Sequence, residues 1–454
     1  MKKNKAFVIG LDGVPHSLLT EYTEAGLMPN LRKILSCGFV QKRMDASIPD
    51  VSSISWTSFM TGVNPGEHGI FGFVDLRPES YKMFFPNYGD VKAPAIWEIL
   101  GRTSGGKSST LFERYREKIE TPLRSPLRSV VMNVPQTFPA TSLSGVLTAG
   151  FVCPDLKRGT YPDSAYEYLH SIGYLPDVDA EKAVSDPEAF FNELHFALDK
   201  RAEAFTHFME TESWNLFIAV ITETDRLHHF FFDAARNESH PRHDDFVSFY
   251  KRTDEVIGVL FDRFMEMTGG EGFFMTMSDH GFCELKEEVY VNSLLREKGF
   301  LKLDKGREYF EQVGSGTTAF CMDPARLYLN IEGKYPLGCV KVSGMEKISS
   351  ELRGVMESLK DANGSPVIKS VYGRDDLYAG PLSGRAPDLV CVANDGYDLK
   401  GTLIKEEIFG KGTFTGMHVQ NDAHCVLPEG VKTSGKMHIE HLAGILLEQF
   451  MDVK

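Results

Sequence analysis

Apolar residues in this chain gather into short unbroken runs that stop abruptly at polar or charged side chains. Ala6-Phe-Val-Ile-Gly-Leu11, Leu216-Phe-Ile-Ala-Val-Ile221 and Gly272-Phe-Phe-Met-Thr-Met277 are the clearest cases. Runs of this length without polar alternation predict strands buried on both faces, as in a parallel sheet covered by helices. Each leads within a few residues to a carboxylate, at Asp12, Asp225 and Asp279. In open α/β sheets ligands bind beyond the carboxyl ends of the strands, so these positions predict a rim site.

Between the runs the pattern changes to helical periodicity. Met28 to Leu35 carries a proline near its start and Gly38 just past its end, the usual punctuation of a helix. A short helix is expected over Ile96 to Leu100, followed by a loop from Gly101 to Ser109, and Val130 to Val134 returns to the sheet. An amphipathic helix is expected from Pro187 to Met209, another near residues 345–361, and a last one from His438 to Phe450; the sheet is expected to resume at Pro387-Asp-Leu-Val-Cys-Val392. The alternation of strands and helices predicts a doubly wound, mostly parallel α/β sheet with helices on both faces, a single catalytic domain over residues 1–454 with cap segments inserted at 155–210 and 300–384.

Composition narrows the function classes. The 454 residues carry a net charge of −14, dispersed along the chain, which argues against a broad nucleic-acid groove or an anionic-membrane patch. The seven cysteines show no CxxC spacing and are expected as reduced, mostly buried thiols. The opening Met-Lys-Lys-Asn-Lys passes at once into the first apolar run, and no later run approaches the ~18 residues of a membrane span, so a cytoplasmic protein is expected.

Candidate chemistry clusters at the run ends. Asp225-Arg-Leu-His-His229 places a carboxylate and an imidazole four apart, on one side of a first helical turn, where both could reach one ion. A surface ion pair would leave the same pattern, and His228 competes with His229. Ser278-Asp-His-Gly281 ends a core strand with two hydrophilic side chains and a glycine that permits close backbone approach; a capped helix start is the alternative. His418, in Phe414-Thr-Gly-Met-His, says nothing alone.

The segment Pro49-Asp-Val-Ser52-Ser-Ile-Ser55-Trp-Thr, with Thr61-Gly-Val-Asn-Pro-Gly-Glu-His-Gly69 downstream, resembles the nucleophile region of the type I phosphodiesterase/nucleotide pyrophosphatase family of the alkaline phosphatase superfamily. The order of Asp12 in a GLDG turn, Asp225-x-x-x-His229, Asp279-His280 and a late Gly-x-His418 is similar to that family over nearly the whole chain, as are Asn133-Val-Pro-Gln-Thr-Phe-Pro, Leu327-Tyr-Leu-Asn-Ile-Glu-Gly and Ala386-Pro-Asp-Leu. The resemblance implies an alkaline-phosphatase-like fold and two divalent ions. Asp225, His229 and His418 would hold one ion, and Asp12, Asp279, His280 and Ser52 the other, with Ser52 as nucleophile forming a phosphoseryl intermediate. Zinc suits the ligand set, and manganese is compatible with it. Ser55 stands where the resemblance places an oxygen-stabilising asparagine, which makes it a candidate substrate contact.

The expected activity is hydrolysis of small phosphate esters, phosphodiesters foremost, because no Lys or Arg lies between Arg43 and Arg77 to cover the extra charge of a monoester. A phosphomonoesterase or phosphomutase of the same superfamily is the alternative; in the mutases the last histidine follows the Asp-His pair closely, whereas His418 lies far from His280. A sulfatase would need a C/S-x-P-x-R context that Ser52-Ser-Ile-Ser-Trp lacks. A non-enzymatic phosphate-binding protein would be expected to have lost ligands, and none is missing.

Overall fold

The computed structural model describes residues 5–120, 125–304, 306–433 and 435–451. The first four residues, part of the opening Met-Lys-Lys-Asn-Lys, lie outside this range. The chain divides into two compact units: Met1–Val63, Asn87–Phe282 and His418–Lys454 form the first, and Asn64–Pro86 with Cys283–Met417 form the second.

The first unit is built on an eight-stranded sheet of β1 (Ala6–Leu11), β2 (Phe39–Met44), β3 (Ser129–Val134), β4 (Gly145–Ala149), β5 (Thr160–Tyr161), β6 (Leu216–Ile221), β7 (Phe273–Met277) and β8 (Ala423–Pro428), in the order β2-β8-β7-β1-β6-β3-β4-β5. The five strands β7, β1, β6, β3 and β4 run parallel. β8 is antiparallel to both β2 and β7, and β5 to β4. Every residue of β1 and β6 is buried, as their unbroken apolar runs predict. Each buried Val, Ile, Leu or Phe contributes about 1.5–3 kcal/mol, so the central strands are where the sheet is anchored.

Register decides where the chemistry goes. Gly10 of β1 is level with Val220 of β6 and with Met277 of β7, so the three runs end together and their following carboxylates meet at one edge of the sheet. Five helices of this unit matter for the site or its support: α1 (Ser52–Thr61), α2 (Pro187–Thr211), α3 (Glu223–Phe231), α4 (His243–Thr268) and α5 (His441–Glu448). The segment 155–210 belongs to this unit.

The second unit has a four-stranded antiparallel sheet, with Ala319–Met322, Arg326–Leu329, Leu389–Ala393 and Ile368–Gly373 side by side in that order, and the helix Met345–Glu357 packs within the same apolar cluster. Segment 300–384 falls here. The apolar run from Pro387 therefore joins this separate sheet and does not resume the central one. The last central strand is β8, Ala-His-Cys-Val-Leu-Pro, whose buried histidine and terminal proline disguise it. Only Cys321, Cys391 and Cys425 of the seven thiols are buried, fewer than expected; Cys37 and Cys339 are exposed.

The histidine in β8 has a structural job. His424 is fully buried, with Nδ1 3.0 Å from the Val14 carbonyl and Nε2 3.4 Å from Thr276 Oγ1, so it ties β8 to β7 and to the turn after β1. Burial lowers its pKa from 6.5 to about 4, against the pull of the Val14 carbonyl. The unfolded chain therefore binds a proton on this residue at higher pH than the native one, and the stability it lends falls as pH drops from about 6.5 to about 4, by at most about 1.4 kcal/mol per pH unit. Thermal unfolding followed across that window should steepen less in His424→Gln than in the wild type; parallel curves would remove His424 as a contributor.

Candidate active site

Asp225, His229 and His418 come together in the first unit, and so do Asp12, Asp279 and His280. In each triplet the residues offer one ligand atom apiece, all within 4.8 Å of one another. The triplets adjoin through His280, whose Nε2 is 3.2 Å from Asp279 Oδ2 and 3.9 Å from both Asp12 Oδ1 and Asp225 Oδ1. Ser52 Oγ lies 3.0 Å from the same nitrogen. All seven side chains singled out in the sequence thus occupy one place.

The carboxylates are arranged alike. Asp12 accepts from Trp56 Nε1 at 3.1 Å through Oδ2, and Asp279 accepts from the Gly13 N–H at 3.0 Å through Oδ1. Asp225 turns Oδ2 towards Arg226 Nη1, 3.8 Å away. The remaining oxygens, Asp12 Oδ1, Asp225 Oδ1 and Asp279 Oδ2, are buried without a hydrogen-bond donor. These orphaned atoms are the ones that face His280. The histidines complement them: backbone carbonyls of Asp50 and Gly281 sit 2.8 Å from His418 Nδ1 and 3.1 Å from His280 Nδ1. A carbonyl only accepts, so each Nδ1 keeps a proton and each Nε2 points inward. His418 Nε2 is 3.1 Å from His229 Nε2, and both lie 3.5 Å from Asp225 Oδ1.

Such a site asks for positive charge. Burial first, then the charges of Asp279 and Asp225, push the Asp12 carboxyl well above its usual range. Burial and the Asp225 charge likewise push Asp279 up to about 6, against the Gly13 N–H. Burial also opposes ionisation of Asp225, but His229 and His418 outweigh it and hold that carboxyl low, while burial would lower His418 and Asp225 raises it instead. Burial, followed by the neighbouring His418, drops His280 to about 3. Two like charges 4 Å apart repel by about 4 kcal/mol at an effective dielectric of 20, and a divalent cation between them turns that repulsion into attraction. Three inward oxygens and three inward imidazole nitrogens match the donors of zinc or manganese sites.

Ser52 opens α1, and the cap position before it is Val51, which makes no side-chain cap. All ten side chains of α1 are buried. Trp56 and Phe59 meet edge to face at 5.7 Å in the core, and Trp56 also steadies Asp12. A Cβ at Gly10 would come within 2.5 Å of the Trp56 ring, which is why β1 carries a glycine there. Ser53 and Ser55 are fully buried with hydroxyls that find no hydrogen-bond partner; of the three serines, Ser52 is the one that reaches His280.

The match to known proteins agrees with this geometry. Residues 6–419 match the family model of type I phosphodiesterase / nucleotide pyrophosphatase. The chain belongs to this family. Its members are hydrolases of phosphoric ester bonds. No curated protein matches the sequence. Among solved structures, phosphonoacetate hydrolase from Sinorhizobium meliloti 1021, in complex with phosphonoacetate, is similar in fold at 16% identity, with 99% of this chain and 96% of that one covered and a TM-score of 0.62. Murine ectonucleotide pyrophosphatase / phosphodiesterase 5, as an inactive variant in complex with AMP, is similar at 13% identity, covering 98% and 95%, with a TM-score of 0.55. The human protein of the same name is similar at 14% identity, 98% and 94%, with a TM-score of 0.54. The fold is alkaline-phosphatase-like. No helix among the described residues is long and apolar enough to cross a membrane.

Several supporting residues of this site escaped the sequence reading. His228 is not the competing ligand: its Nδ1 is 3.1 Å from the Gly13 carbonyl and its Nε2 2.7 Å from the Tyr250 hydroxyl, so it braces α4 against the β1 turn. Gly13 adopts φ 66°, and a Cβ there would meet Phe282 at 2.6 Å. The first turn of α3 is clamped by Arg201 of α2, which donates from Nε to both oxygens of the buried Glu223 at 2.7 and 2.8 Å, and by Thr224, which donates to the Asp12 carbonyl at 2.6 Å. A buried Arg-Glu pair before DxxxH was the one available signal; the backbone atoms of Gly13 and Asp50 leave none.

Removing a remote ligand should weaken cation binding without unfolding the chain. His418→Ala is expected to reduce the divalent metal retained after dialysis while leaving the melting temperature within a few degrees of the metal-free wild type, because a partly exposed imidazole on the short strand Gly416–Val419 adds little to the core. Unchanged metal retention would separate His418 from the site.

Proposed function

We propose that this protein is a metal-dependent hydrolase of phosphodiesters that works through a phosphoseryl intermediate on Ser52. The observation that carries the reading is the placement of Ser52 Oγ 3.0 Å from His280 Nε2, beside three buried carboxylate oxygens that no protein donor satisfies. Asp225, His229 and His418 would hold one divalent ion, and Asp12, Asp279, His280 and Ser52 the second, with zinc favoured by the mixed imidazole and carboxylate donors and manganese compatible. When bound, the pair supplies Lewis-acid polarisation of the phosphoryl group and favours the ionised serine.

The chain's own groups do the rest. Trp56 and the Gly13 N–H hold Asp12 and Asp279 so that their free oxygens keep a fixed direction. Ser52, at the start of a buried ten-residue helix, presents its oxygen with the positive end of the helix dipole behind it. Its attack on phosphorus forms the Ser–phosphorus bond as the bond to the leaving oxygen breaks; water then attacks phosphorus, frees Ser52 and releases a phosphate monoester. An in-line displacement places the leaving oxygen opposite Ser52, on the side of Asp225, His229 and His418. The buried side chains that follow Ser52 on α1 are neutral, which suits the single charge of a diester better than the dianion of a monoester.

Hydrolysis of bis-p-nitrophenyl phosphate and p-nitrophenyl phosphate, measured as kcat/KM in zinc and in manganese, tests the reading. The diester should be the faster substrate, and Ser52→Ala should lose at least ~10³-fold on it while Ser53→Ala retains activity. A monoester preference of tenfold or more would overturn the diesterase assignment, and an active Ser52→Ala beside a dead Ser53→Ala or Ser55→Ala would move the nucleophile.

A further inference from the structure

Arg226 follows Asp225 on the first turn of α3, and its side chain is held more tightly than a surface arginine. Nε donates to Asp177 Oδ1 at 3.1 Å and Nη2 to Asp177 Oδ2 at 2.7 Å, a two-pronged clamp, while the guanidinium carbon lies 4.2 Å from the centre of the Phe151 ring. These contacts fix the plane of the fork and use two of its three nitrogens. The third, Nη1, has only the 3.8 Å approach to Asp225 Oδ2, too long for a hydrogen bond. The side chain is 16% exposed, so solvent reaches part of it.

The position of that nitrogen is informative. In the hydrolysis proposed above, Ser52 attacks from one side of the phosphorus and the Asp225 triplet takes the opposite side, where the leaving portion departs. A neutralising role for Asp225 alone does not require the long contact, since His229 and His418 already flank its other oxygen at 3.5 Å. A clamped, partly exposed guanidinium with one unspent donor edge is the geometry that recognises a carboxylate or phosphate group. We propose that Arg226 is a specificity-determining residue that binds a second anionic group on the leaving portion of the substrate, with Asp177 and Phe151 holding its fork in place. The assignment rests on the hydrolase reading of the site for the direction of departure, and it names the substrate class: phosphate esters whose leaving portion carries its own negative charge.

Binding of unreactive phosphonates tests this without turnover. Calorimetry on the zinc-loaded protein compares alkylphosphonates with ω-carboxyalkylphosphonates of matching chain length, with bound metal per chain measured in parallel. At one chain length or more the carboxylate should tighten binding by about tenfold. Arg226→Gln should erase that advantage while the plain alkylphosphonate affinity and the metal content stay unchanged, and Arg226→Lys should restore part of it. No carboxylate advantage in the wild type at any length would overturn the proposal. So would an Arg226→Gln protein that loses affinity for both series equally together with metal, since the guanidinium would then serve only to steady Asp225. A wild type that shows the carboxylate advantage but hydrolyses no ester would support Arg226 as the anion contact and overturn the hydrolase reading instead.

Discussion

Three carboxylate oxygens with no donor, buried within a few ångströms of one imidazole, are the constraint around which the first unit is organised. An ionised oxygen taken out of water without a partner costs several kcal/mol, and here three share one place. Natural structures keep such an arrangement where a cation compensates it. The second oxygen of Asp12 is tied to an indole and that of Asp279 to a backbone N–H, so neither inward oxygen can turn away to solvent. The strain is preorganised.

The sheet makes that arrangement possible at low cost. Parallel strands β1, β6 and β7 end level, so three segments far apart in sequence deliver their aspartates to one edge without long loops. Helix α3 is set by the buried Arg201–Glu223 pair and by Thr224, which together fix the direction in which Asp225 and His229 point. Breaking one partner of a buried pair costs about 3–5 kcal/mol, so this clamp also ties the site's geometry to the stability of α2 and α3. Arg226, on the same turn, extends the polar network outward to Asp177.

Much of this was legible beforehand, for physical reasons that differ by residue. Short unbroken apolar runs suit strands buried on both faces, and a carboxylate within a few residues of one is costly enough to be noticed; hence Asp12, Asp225 and Asp279 stood out. His418 did not, since a loop histidine carries no such cost until the fold brings it to His229, and it entered only through the order of motifs. β8 was missed because Ala423–Pro428 holds a polar histidine and ends in proline. The second unit was hidden for a related reason: its four-residue strands and the return of segment 64–86 are set by contacts distant in sequence, which periodicity cannot show. The family spacing favoured His229 over His228, and the fold supplies the physical reason: both lie in the last turn of α3, and their partners, Tyr250 and the Gly13 carbonyl for one, His418 for the other, separate them.

The central claim is that the orphaned oxygens of Asp12, Asp225 and Asp279 face two cations. Anomalous diffraction from crystals equilibrated with zinc or manganese measures this most directly. The account predicts two strong peaks, one enclosed by Asp225, His229 and His418 and the other by Asp12, Asp279, His280 and Ser52, both abolished by chelator. Peaks confined to surface carboxylates or thiols, with none among these seven side chains, would contradict it.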